Sequence, residues 1–337
     1  MAYDAVTGSQ LWTSRYDGPA KQEDQATALS VSPDGDRLFV TGFSQSSSTG
    51  LDFATVAYDT GTGARLWVRR YNGPGDVDDK ANAIGVGPGG GMIYVTGFGY
   101  RTPVGPGDFI TVAYDATNGS RLWVKRYNGP AQRGADALAL AVSPGGSRVF
   151  VTGYTYDSQG YADYATVAYD AATGGMQWAR RYKGPAGSDD LAFAVQVSPG
   201  GSLVFVTGSS IGSATGYDYG TVAYAASTGV QRWATRYSGP GDGADQALDL
   251  AVSPDGTEVF VTGFSVRLTG GEDYGTIAYE ASSGVQLWAA DYDGTGDAVD
   301  EAFAIGTSPD GSKVFVTGES TGSAGNADFA TVAYSTS

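Results

Sequence analysis

The chemistry open to this chain is narrow, and carboxylates dominate it. Its 337 residues include no histidine and no cysteine. That excludes a Ser-His-Asp triad, a Cys-His dyad, a histidine-based metal site, a disulfide and thiol chemistry. What remains is 36 Asp and Glu against 20 Lys and Arg, a formal net charge of −16. So acidic a surface repels phosphate backbones and anionic lipid, so nucleic acid binding is not expected, and with no apolar run near twenty residues neither is membrane insertion. Paired carboxylates suit acid–base work on a glycan. Oxygen-rich loops suit a hard cation such as calcium.

The acids fall into two rows. One is Asp52, Asp108, Asp163, Asp218, Asp273 and Asp328; the other is Asp24, Asp79, Asp190, Asp245 and Asp300, with Ala135 breaking it. Regular recurrence points to architecture, with carboxylates accepting hydrogen bonds from turn amides. A recurring Arg (Arg15, Arg70, Arg126, Arg181, Arg236) is placed to pair with them, and Asp291 stands in its position in one copy. The candidate metal ligands are the loop acids Asp76, Asp78 and Asp79, and Asp242 with Asp245. Asp249 replaces an alanine found at Ala28, Ala83, Ala139, Ala194 and Ala304. An acid there is costly to bury unpaired, which makes Asp249 the candidate catalytic acid. With Gln196 and Asn82 it is also a candidate for lining a central channel.

The elements that position these residues are written six times. The tryptophans Trp12, Trp67, Trp123, Trp178, Trp233 and Trp288 recur every 55 or 56 residues, and the chain has no others. A period of this length marks a propeller or a solenoid. Each copy reads as four strands: Asp79–Val86, Met92–Gly97, Asp108–Tyr114 and Arg121–Tyr127 in the second. No segment has helical periodicity. The fold expected is all-β: a six-bladed β-propeller of four-stranded antiparallel blades, in a single domain over 1–337. The blades fall at about 24–71, 79–127, 136–182, 190–237, 245–292 and 300–337 plus 1–16. The phase of the ends predicts a ring closed by the N-terminal outer strand, which would complete the C-terminal blade and remove exposed edges. A closed ring predicts a monomer.

The phrase Ala-x-Asp-x-x-Thr-Gly-x-x-x-Trp is complete at Ala2/Asp4/Thr7/Gly8/Trp12, at Ala57/Asp59/Thr62/Gly63/Trp67 and at Ala168/Asp170/Thr173/Gly174/Trp178. It resembles the tryptophan-docking motif of the pyrroloquinoline-quinone-like propellers. The other half of the unit, Asp79-x-Ala-x-Ala-Ile with Ile-Tyr-Val-Thr-Gly97, resembles the bacterial propeller repeats called SBBP. The resemblance implies that each Trp packs between blades over the turn of a neighbour. It specifies the fold rather than an activity. With six copies and no cysteine, no cofactor is expected, pyrroloquinoline quinone included; calcium is the alternative ligand of the acidic loops.

Variable loops on a rigid scaffold are where binding resides, and the loops between second and third strands vary most. They carry Tyr100, Arg101, Tyr154, Tyr156, Tyr161 and Arg267, residue types enriched at binding hot spots. The function expected is therefore a non-enzymatic binding or scaffold module. Its ligand face would comprise Arg101, Tyr154, Tyr156, Tyr161 and Arg267 with the inter-blade loops, and its ligand would be a protein or a glycan. The alternatives are a glycan hydrolase or lyase using Asp249, and a multivalent lectin. Composition suggests an extracellular or cell-surface protein, although no signal peptide is read at Met1.

Overall fold

In the computed structural model every residue is described except 214, 242, 268–270, 297, 324 and 337. The described elements are all strands. A short hairpin, β1 (Ala2–Tyr3) and β2 (Gln10–Trp12), comes first. Two complete runs of four follow: β3 (Asp24–Val31), β4 (Arg37–Gln45), β5 (Leu51–Asp59) and β6 (Arg65–Tyr71), then β7 (Asp79–Val86), β8 (Met92–Tyr100), β9 (Gly107–Asp115) and β10 (Arg121–Tyr127). The third run is β11 (Ala135–Val142), β12 (Arg148–Tyr156), β13 (Ala162–Asp170) and β14 (Met176–Tyr182). The fourth is β15 (Asp190–Val197), β16 (Leu203–Gly212), β17 (Gly216–Ala225) and β18 (Gln231–Tyr237). The fifth is β19 (Asp245–Val252), β20 (Glu258–Val266), β21 (Glu272–Glu280) and β22 (Gln286–Tyr292). The last holds three strands: β23 (Asp300–Thr307), β24 (Lys313–Thr321) and β25 (Ala327–Ser335). Each run is a sheet whose strands pair in chain order.

The chain divides into two compact units, residues 1–151 with 169–176 and residues 152–168 with 177–337, so the boundary runs through the third sheet. Within each unit the core lies between consecutive sheets. In the first, Phe39, Phe53 and Trp67 pack with Ile93, Val95 and Val112. In the second, Phe205, Tyr219 and Trp233 pack with Leu250, Val261 and Ile277, and Phe260 and Tyr274 pack with Val314 and Val316. Strands buried on both faces explain why apolar residues occupy successive positions in β5, β9 and β17. Each fully buried aromatic or aliphatic side chain contributes about 1.5–3 kcal/mol.

The tryptophans fasten one sheet to the next. The indole N–H of Trp67 donates to Ala116 O at 3.2 Å, Trp123 to Ala171 O at 3.0 Å and Trp233 to Ala281 O at 2.9 Å. Trp12 and Trp178 do the same to Thr60 O and Ala226 O. The turn that receives each ring carries a glycine at positive φ. A Cβ on Gly229, at φ +68, would stand 2.6 Å from the Trp178 ring. The Thr-Gly pair therefore serves both the left-handed backbone and the ring above it. Trp288 has no such partner: its indole nitrogen is buried without an acceptor among the described residues.

Inside every sheet the second and third strands are joined by paired threonine hydroxyls. Thr96 with Thr111 at 3.2 Å and Thr207 with Thr221 at 2.9 Å are typical. First strands carry a bulge, at Ala81/Ala83 in β7 and at Ala247/Asp249 in β19, and likewise in β3, β15 and β23. Bulges sharpen local twist.

The two ends are paired separately among the described residues: β25 pairs with β24, and β2 pairs with β1, Ala2 opposite Trp12 and Tyr3 opposite Gln10. The turn between β1 and β2 is fully satisfied, with Asp4 Oδ1 accepting from the amides of Val6 and Thr7 and from the Thr7 hydroxyl. That turn folds residues 2–3 onto an edge of β2.

Candidate functional site

At one end of the sheets the two rows of aspartates meet the recurring arginine. In the first sheet Arg70 donates to Ser44 O at 2.9 Å and to Asp52 Oδ2 at 2.8 Å. In the fourth, Arg236 contacts Asp218, Ser210 O and Ser210 Oγ, and that hydroxyl reaches Asp190. Arg126 and Arg181 pair with Asp108 and Asp163. The first-strand acid of each sheet also caps the loop before it: Asp79, Asp190, Asp245 and Asp300 accept from the amides of Gly73, Gly184, Gly239 and Gly294. In the third sheet, where Ala135 breaks the row, Asn128 substitutes. Its amide donates to Asp108 Oδ1 at 2.6 Å and its carbonyl accepts from Gly134 N at 2.9 Å. Burial first, and the nearby charge of Asp52, push Asp79 up to about 6 against the Gly73 amide and Arg126.

Asp291, the acid in the arginine's position, has a partner. Arg267 pairs with Asp273 and reaches Asp291 Oδ2 at 3.5 Å, so a loop arginine stands in for the strand arginine. Asp273 is pushed up to about 6 by burial, with Asp293, Asp300 and Asp291 adding to it and Arg267 opposing.

The loop acids proposed as metal ligands are largely engaged with amides. Asp78 Oδ1 accepts from Leu51 N at 2.9 Å, as Asp189 does from Ala162 N at 2.8 Å; each fixes the start of a third strand in the preceding sheet. Asp76 accepts from Asn72. Asp242 lies outside the described residues. Among the described residues one trio of carboxylates approaches closely enough to share a cation. It is Asp273, Asp293 and Asp300, whose nearest carboxylate oxygens lie within 4.8 Å of one another; Asp273 and Asp300 are members of the two rows, and Asp293 was not singled out in the sequence.

The channel candidates part company. Asp249 accepts from its neighbour Leu250 N at 2.8 Å and from Ile305 N in the next first strand at 3.1 Å, and burial raises its pKa. Asn82 donates to Ala137 O at 2.8 Å and to Asp136 at 3.2 Å. Both are therefore ties between adjacent innermost strands. Gln196 is exposed.

The ligand-face residues keep partial exposure. Tyr154 and Tyr156 meet edge to face at 5.7 Å, and Tyr161 is 44% exposed. Their loop is held by Asp157, which accepts from the amides of Gln159 and Tyr161 and pairs with Lys183 at 2.7 Å. Lys183 chiefly holds that carboxyl at about 2. Arg101, in the other unit, pairs with the buried Asp108 at 2.9 Å.

One group escaped the sequence reading. Glu301 lies opposite Glu319 across β23 and β24. Burial, a hydrogen bond with Glu272 and the charges of Glu272 and Glu319 push Glu301 up to about 7. Its signal in the sequence is weak: Glu319 replaces the aromatic found at Phe43, Phe98, Tyr154 and Phe264.

Repeated four-stranded antiparallel sheets packed face to face are the build of a β-propeller, and solved structures share the fold. The chain matches the structure titled "Structure of Dos1 propeller" with a TM-score of 0.55 at 11% identity, over 86% of this chain and 75% of that one. A chain of the Mitotic Checkpoint Complex matches at 0.56 and 14%, over 90% and 73%. The quinohemoprotein alcohol dehydrogenase from Comamonas testosteroni matches at 0.56 and 14%, over 94% of this chain and 59% of that one. At such identities the likeness is one of fold. No curated protein matches the sequence. The family model described as "Outer membrane protein assembly factor BamB" matches residues 1–207 and 165–328. The chain belongs to this pyrroloquinoline-quinone-like repeat family.

Proposed function

We propose that this chain is a non-catalytic binding or scaffold propeller of six blades, working outside the cytoplasm, whose ligand contacts centre on the loop between β12 and β13. The observation that carries this reading is the contrast in how side chains are used. The carboxylates first read as catalytic or metal-binding accept hydrogen bonds from amides, whereas Tyr154, Tyr156 and Tyr161 present aromatic surface from a loop pinned by Asp157 and Lys183. Rigid aromatic anchors of this kind suit a protein surface or a neutral sugar. Arg101 and Arg267, each in its own unit, add exposed donors steadied by an aspartate. The family description names an outer-membrane assembly factor, which supports an extracytoplasmic scaffold. The test is the combined Tyr154→Ala, Tyr156→Ala and Tyr161→Ala variant on a glycan array and against envelope-protein extracts. Binding should vanish while the thermal midpoint stays within a few degrees; binding unchanged from wild type sinks the assignment.

A second reading, glycan hydrolysis, is favoured by one observation: Glu301 stands opposite Glu319 and beside Glu272, where burial, a hydrogen bond with Glu272 and those charges push it up to about 7. Its test is release of reducing ends from neutral polysaccharides across pH 5–8. Activity that survives Glu301→Gln excludes it.

A further inference from the structure

Each four-stranded sheet ends on an outer strand with a free edge. Among the described residues β6, β10, β14, β18 and β22 each pair on one side, with the third strand of their own sheet. A free edge presents unpaired amides and carbonyls, and charged side chains keep other chains off it. Four of these strands are protected in that way. β6 carries Arg65, Arg69 and Arg70; β10 carries Arg121, Lys125 and Arg126; β14 carries Arg180 and Arg181; β18 carries Arg232 and Arg236. β22 reads Gln286-Leu-Trp-Ala-Ala-Asp-Tyr292 and has no basic residue.

The protection is visible in the bonds. Arg69 Nη1 donates to Val68 O at 2.7 Å and Arg180 Nη1 to Ala179 O at 2.8 Å, so each guanidinium covers a main-chain carbonyl of its own outer strand. In β18 Thr235 holds the covering position, with Arg232 and Arg236 on either side. In β22 that position is Ala290, too short to reach back to Ala289 O, and Asp291 replaces the arginine after it. Apolar surface stays on this edge. Leu287 is 48% exposed, as Leu66 is 46% and Leu122 47%, so its exposure belongs to the outer position in any of these sheets. Strand alternation puts Leu287, Ala289 and Asp291 on one face. Arg267 reaches Asp291 at 3.5 Å, and the exposed Asp293 adds a second carboxylate beyond it.

We propose that β22 is a docking edge for an extended, basic segment of another protein, which adds to the fifth sheet as a further strand. Main-chain hydrogen bonds hold that strand, and its side chains set the register: a lysine or arginine beside Asp291 and Asp293, and an apolar residue beside Leu287. The occupant follows from charge. Two copies meeting edge to edge through β22 would bring acidic strands together, each on a chain of net charge −16. A basic strand instead supplies the sign that the other four outer strands carry and this one lacks.

The probe is a capped peptide of about ten alternating lysines and valines, titrated onto the full chain and followed by fluorescence anisotropy and amide hydrogen exchange. It should bind and slow exchange within residues 286–292, while a glutamate–valine peptide should not bind. A lysine–valine peptide with proline at its centre keeps the charge and loses main-chain donors, and should bind about tenfold more weakly or worse. Ala290→Arg restores the cover without touching Asp291 and should weaken binding about fivefold or more. Ala290→Arg with Asp291→Arg, the pair found as Arg69–Arg70 and Arg180–Arg181, should weaken it further, with unchanged circular dichroism as the check on the fold. The proposal is overturned by a lysine–valine peptide that does not bind, by a proline peptide that binds equally, or by variants that bind like wild type. Protection spread over β6, β10, β14 and β18 also overturns it. So does protection of β22 that grows with protein concentration in the absence of peptide, since that marks a second copy as the occupant.

Discussion

The sheets in the interior of the chain and the sheets at its ends are built from nearly the same residues and live in different surroundings. Tyr219 and Leu250 are wholly buried; their counterparts Phe329 and Leu29 are largely exposed. Residue identity therefore does not decide burial in this protein; the neighbouring copy does. Quasi-one-dimensional stability of this kind is a sum of repeat terms and joint terms.

The sharpest way to break that comparison is to remove the same residue in both settings. Trp123→Ala strips an indole that is buried and bonded to Ala171 O, and should cost about 3–5 kcal/mol in urea unfolding. Trp12→Ala removes a half-buried one and should cost clearly less; equal losses would end the distinction. Next comes the arginine. Arg236→Ala leaves buried Asp218 unpaired and should cost about 2–4 kcal/mol, while Arg15→Ala, at an exposed arginine with no ion pair among the described residues, should leave stability within about 0.5 kcal/mol.

A pH series sharpens the joint between the first two sheets. Asp79 titrates at about 6 when folded, above the ordinary carboxyl value, chiefly through burial. Its share of stability is present in full at low pH and is lost as pH rises through about 6, because the unfolded chain releases that proton first. Asp79→Asn should flatten the decline between pH 4 and 7, and an unchanged slope would remove Asp79 from the account. The smallest effect is expected at Arg101, half exposed beside Asp108. Arg101→Ala should change stability by about 0–1 kcal/mol, because Arg126 and Asn128 still hold that carboxylate.

How much could be read in advance follows from how local each signal is. Six tryptophans at one spacing and four alternating strands per copy are local patterns, and the sheets follow them. The Arg–Asp pairs were readable because both members recur. The exchange of Asp291 for Arg267 was not, since the substitute comes from a loop that varies in every copy. Asp249 and Asn82 looked like channel groups because their acceptors and donors lie in another copy, at Ile305 and Ala137. The glutamate cluster needed the β23–β24 register before Glu301 and Glu319 could be placed together. The pairing of β2 with β1 follows from another local signal: the turn from Asp4 to Gly8 is the same motif found inside the chain, and it folds there too.

The tryptophan fastenings also set a time scale. Trp12, Trp123, Trp178 and Trp233 each reach an acceptor 48 residues downstream, and Trp67 reaches one 49 away. Each of these five joints is therefore closed across a loop of nearly the same length, at nearly the same entropic cost. Nucleation has no preferred starting repeat on that ground, and growth proceeds by equal steps in either direction. A chain lengthened by whole repeats should reach its native sheets through the same elementary closure, with a rate-limiting step that does not slow as repeats are added.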